Sequence, residues 1–123
     1  MDIMTINMKD INDFALKWLD KFDDENIDCY EMIDHYLADD CETLGFKMDC
    51  GKAFSEKYGE ASYRYEILKR FINEIDDEYL LGSAIYSGWR YFNHWAYDAK
   101  EILESKNRNW FILALSRLEE LSR

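Results

Sequence analysis

Not one proline occurs among the 123 residues of this chain, and only five glycines do. Proline removes a backbone donor and breaks helices, and glycine turns the chain, so few positions here demand a break. Helices joined by short connections are the expected result. The side-chain pattern agrees. Ile11, Phe14, Ala15, Trp18, Leu19 and Phe22 recur at intervals of three and four, the stripe that one face of an α-helix buries. The same reading predicts helices near 8–22, 27–44, 60–75, 78–97 and 105–121, with one shorter helix inside the connection from Phe46 to Tyr58. Asn7 suits the N-cap of the first, Gly45 the C-terminal stop of the second, and Asp76 or Asp77 the start of the fourth.

No strand alternation, internal repeat or low-complexity segment interrupts that pattern. The predicted fold class is therefore all-α, a single compact bundle of about five helices forming one domain over 1–123. Trp18, Leu19, Ile33, Leu68, Phe71, Ile85, Trp89, Phe92, Phe111 and Leu118 are its expected core. Leu80 to Tyr97 should be the central helix, since it is aromatic or small on nearly every side. Gly88 costs that helix about 1 kcal/mol relative to alanine. Close approach of another helix at Ala84 and Gly88 is the expected compensation.

Charge narrows the class of partner. Residues 1–44 carry 13 acids and three bases, so −10 of the net −11 lies in the first third. A field of that sign attracts basic surfaces and repels nucleic acid and anionic membrane. At 48% hydrophobic and 16% aromatic the chain is too apolar for a disordered acidic tail, so the acid should be displayed on a folded object. No run of about 18 apolar residues is present, and the N-terminal residues lack a secretory pattern. Cys29, Cys41 and Cys50 then read as reduced thiols, and a cytoplasmic location is expected.

Chemical motifs fail one after another. Asp24, Asn26 and Asp28 match the first ligands of a calcium loop, but Cys29 stands where glycine is needed and His35 where a glutamate is needed. Cys29, His35, Cys41, Cys50 and His94 contain no closely spaced pair of the kind that holds zinc. Met32 and Tyr91 precede the two histidines where a di-iron bundle needs glutamates. Ser83 lacks the flanking glycines of a nucleophile elbow, which Leu81 and Ile85 replace. Neither phosphate-binding glycine motif occurs. The basic group Lys52, Lys57, Arg64, Lys69 and Arg70 is diluted by Glu56, Glu60 and Glu66, so direct nucleic-acid binding is not expected. The chain reads as a non-enzyme that needs no metal or cofactor.

Two constellations remain. Asp20, Asp24, Asp28 and Glu31 share helical spacing, with Asp34 close by, and an unbroken helix would set them along one side like the charges of a phosphate backbone. Such a ridge suits a basic protein surface, for example that of a nuclease or another nucleic-acid enzyme. The expected function is thus a small acidic inhibitor, a composition shared with nuclease-immunity and phage anti-defence proteins. The bland account of the same acids is solubility. The second constellation is Tyr86, Arg90, His94 and Tyr97, a polar-aromatic stripe that could bind a small ligand. Its bland account is a set of buried polar tips satisfied within the protein. The aromatic surplus also suits a homodimer interface.

Overall fold

The computed structural model describes residues 7–23, 37–47, 51–58, 72–95 and 105–123, with only the backbone path given for 90–95 and 105–107. Five α-helices and one short turn make up the described elements: α1 (Met8–Asp23), α2 (Leu37–Thr43), α3 (Gly51–Tyr58), a 3₁₀ turn (Ile72–Glu74), α4 (Glu78–Trp95) and α5 (Ser105–Leu121). The fold is all-α, a compact helical bundle, with no strand among the described residues.

Local sequence sets the helix ends. Asn7 caps α1, its Oδ1 accepting the Lys9 backbone N–H at 2.9 Å. Asp77 does the same for α4, accepting the Leu80 N–H at 2.9 Å. At the end of α2, Gly45 adopts φ 87° while its N–H donates to the Glu42 carbonyl and the Phe46 N–H to the Cys41 carbonyl. That crossed pair satisfies two orphan carbonyls and needs a left-handed residue, which is why glycine stands there. The expected stretch 27–44 is helical where it is described, over Leu37–Thr43, and 27–36 lies outside the described residues.

One expectation is corrected at its end. Of the stretch predicted as an α-helix over 60–75, the described part, Ile72–Glu74, is a 3₁₀ turn, and residues 60–71 lie outside the described residues. The physical reason is competition for the backbone. Arg117 of α5 takes the Ile75 carbonyl at 2.9 Å and the Asn73 carbonyl at 3.1 Å. Tyr58 at the end of α3 accepts the N–H groups of both Asp76 and Asp77 at 3.1 Å. These long-range bonds satisfy the groups that another helical turn would have used.

The core lies between α1, α4 and α5. Trp18, Ile85, Trp89, Phe111 and Leu118 are fully buried as expected, and Leu19 packs half-buried against them. Ile33, Leu68 and Phe71 lie outside the described residues, as does the side chain of Phe92. Rings link the helices: Trp18 to Trp89 with centroids 6.0 Å apart, and Phe22 stacked on Phe111 at 5.0 Å. Asn12 adds a polar tie, its Nδ2 donating to the Glu119 carbonyl at 3.1 Å. Arg108 closes the far end of α1 by donating to the Phe22 carbonyl.

Helix α4 is the central one. Leu80 through Tyr86 are buried without interruption, so no side of that stretch faces water, and α2, α3 and α5 all pack on it. Gly88 meets the expected close approach: a Cβ there would lie 2.9 Å from the Trp110 ring of α5. A second notch was not foreseen. Phe46 rests directly on Gly82, and a Cβ at that position would come within 2.2 Å of its ring.

The α3–α4 junction carries a pH dependence. Tyr58 donates to Asp76 Oδ1 at 2.8 Å, and the Lys57 ammonium lies 3.4 Å from the same oxygen. The Tyr58 hydrogen bond, with Lys57 adding to it, holds the Asp76 carboxyl below its ordinary range. A depressed folded pKa stabilises above the unfolded value, about 3.9 for aspartate, and that contribution is lost as pH falls further through the folded value. Asp76→Asn should therefore lower stability near neutral pH and flatten the acid side of the profile, the two proteins converging as pH falls through the folded value. Urea melts of both proteins between neutral pH and about pH 3 check this; parallel acid limbs would contradict it.

Candidate protein-binding surface

The acids of α1 and α2 divide into displayed and engaged groups. Asp10, Asp13, Asp20 and Asp23 stand exposed on α1, and Asp39 on α2, because each falls off the buried stripe of its helix. Asp20 is the described member of the expected ridge. Asp24, Asp28, Glu31 and Asp34 lie outside the described residues.

Asp40 and Glu42 have internal roles that their neighbours in sequence do not. Asp40 accepts the Trp18 indole N–H and the Lys17 ammonium, both at 2.8 Å, and so pins α2 to α1. Glu42 accepts the Tyr86 hydroxyl at 2.5 Å, pinning α2 to α4. Both are charge-assisted bonds, stronger than neutral ones. Tyr86 is thus 4% exposed with its tip on a carboxylate. Arg90 and His94 follow it one and two turns later on α4, but their side chains, like Tyr97, lie outside the description.

Nucleophilic chemistry gains nothing from this geometry. Burial pushes the Cys41 thiol well above its ordinary pKa, and the adjacent Asp40 and Glu42 push it further, so it stays protonated. Cys29 and Cys50 lie outside the described residues. Ser83 is fully buried and accepts the Lys47 backbone N–H at 3.1 Å, which makes it a loop anchor. Among the described residues no group of three metal-ligating side chains converges, and no helix is long and apolar enough to cross a membrane.

Packing of α2 on α1 creates a shallow open groove of roughly 220 Å³, lined by Asp10, Asp13, Phe14, Lys17, Asp40, Thr43 and Leu44. Phe14 and Leu44 are its apolar lining, and Asp10, Asp13 and Asp40 its acidic lining. Sequence reasoning missed this place. The spacing of Asp10 and Asp13 beside the buried stripe hinted at one wall, but the other wall arrives from a separate helix. No protein-family model, curated protein or solved structure matches this chain.

Proposed function

We propose that this chain is a small acidic protein-binding module, an inhibitor of the immunity or anti-defence type that occupies a basic surface of a nucleic-acid-processing protein. The observation that supports it is the placement of charge. Nearly all the net charge belongs to residues 1–44, and in the described part of that stretch five aspartates stand exposed on α1 and α2. A cleft built to receive phosphates presents the complementary sign, and opposite fields speed encounter.

The test reverses the ridge: Asp20→Lys, Asp24→Lys, Asp28→Lys and Glu31→Lys together. Circular dichroism should show the helical content retained, because these positions lie off the apolar stripes. Wild-type protein immobilised in lysate of its native host should capture a basic nucleic-acid enzyme that DNA competes away. Capture should weaken steeply as salt rises from about 0.1 M to about 1 M, where the screening length falls from about 10 Å to about 3 Å. With the purified partner, the reversed protein should associate more slowly by roughly 10-fold to 1,000-fold. A folded quadruple variant with unchanged affinity and salt response would refute the inhibitor reading.

A further inference from the structure

We propose that the groove between α1 and α2 seats a single arginine side chain from the basic partner, its stem on Phe14 and Leu44 and its guanidinium against Asp10 and Asp13. This rests on the inhibitor reading and gives it a specific point of contact. The volume, roughly 220 Å³ in an open groove, suits one side chain. Clefts that enclose small-molecule ligands usually run to about 300–1,000 Å³.

The charges in the groove are unbalanced in a way that defines the occupant. Lys17 is committed to Asp40 at 2.8 Å, and Lys9 pairs with Asp13 at 3.0 Å from outside. Asp10 has no ion-pair partner among the described residues, although it lines the groove. What fits is a group with one positive charge beside the aspartates and an apolar stem on Phe14 and Leu44. A nucleic-acid phosphate is repelled by those aspartates, and a hydrated divalent ion makes no use of an aromatic lining. Lysine and arginine both satisfy the charge, but Asp10 and Asp13 are three residues apart on one helix. A planar guanidinium with five donors can reach both carboxylates and lie flat on the apolar lining, which a compact ammonium cannot do.

The experiment uses isotope-labelled full-length protein and a blocked pentapeptide, Gly-Gly-Arg-Gly-Gly, followed by amide chemical shifts. The expected response is saturable and confined to the amides of residues around the groove, Asp13, Lys17, Thr43 and Leu44 among them. The same peptide with citrulline, of equal shape and no charge, should give no response, and the lysine peptide a weaker one. Asp10→Asn with Asp13→Asn should weaken the arginine response about tenfold or more, as expected when charge-assisted hydrogen bonds are removed. Glu56→Gln, at an exposed acid outside the groove, should leave it unchanged. Shifts spread along α1 without saturation, an equal citrulline response or an unaffected double variant would each overturn the proposal. Salt-sensitive capture of a basic enzyme without the arginine response eliminates the groove and keeps the inhibitor reading. The arginine response without such capture does the reverse.

Discussion

Trp89→Ala should destabilise the protein by about 3–5 kcal/mol, the range for deleting a large buried aromatic whose cavity cannot collapse. Trp89 is fully buried on the central helix with its ring 6.0 Å from that of Trp18. Domains of this size have only about 5–15 kcal/mol of stability in all, so the variant should sit close to its unfolding transition. Substitution by phenylalanine separates volume from hydrogen bonding. Trp18 Nε1 donates to Asp40 at 2.8 Å, whereas Trp89 Nε1 is buried without a hydrogen-bond partner among the described residues. Trp18→Phe loses a bond to a charged group, worth about 1.5–3 kcal/mol, while Trp89→Phe relieves a donor whose burial is itself unfavourable. Trp18→Phe should therefore be the more damaging by about 2 kcal/mol or more. Denaturant melts of the two variants decide it, and equal losses would show the two indole donors to be equivalent.

Gly82→Ala should be destabilising even though the substitution favours a helix. Alanine gains about 1 kcal/mol of propensity in an exposed helix. Here its Cβ would lie 2.2–2.4 Å from three atoms of the Phe46 ring. That ring is 3% exposed and held between Phe14 at 5.9 Å and Tyr79 at 6.4 Å, so it has nowhere to retreat. Overpacking of this kind costs about 1–3 kcal/mol and sometimes more, enough to reverse the propensity gain. Gly88→Ala is the contrast, because its nearest contact with Trp110 is 2.9 Å and a small ring shift relieves it. Combining Gly82→Ala with Phe46→Ala should cost less than the two single losses added together, since the second change removes the clash created by the first. Additive losses would show that Phe46 does not fill the notch.

Much of the fold was legible because its determinants are close in sequence. The apolar stripe from Ile11 to Phe22, the Asn7 cap, the Gly45 stop and the Asp77 cap all act within a few residues, and the span of α1, the end of α2 and the start of α4 follow from them. The candidate site was legible only as charge. Asp20 stands exposed as its spacing implied, but Asp40 and Glu42, indistinguishable from it in composition, proved to be fasteners for α2.

Local periodicity and capping chemistry were enough to dictate an all-α chain with its acid gathered in the first third, because helix formation and formal charge need no knowledge of distant partners. Tertiary structure alone decided which acids tie one helix to another. Trp18 and Asp40 are 22 residues apart, Tyr86 and Glu42 are 44 apart, and Asn12 and the Glu119 carbonyl are 107 apart. No residue in the intervening chain announces those pairs. Each forms only after the helices pack and bring a donor to an acceptor from a distant part of the chain, which leaves Asp10 and Asp13 lining the groove while Asp40 joins its two helices.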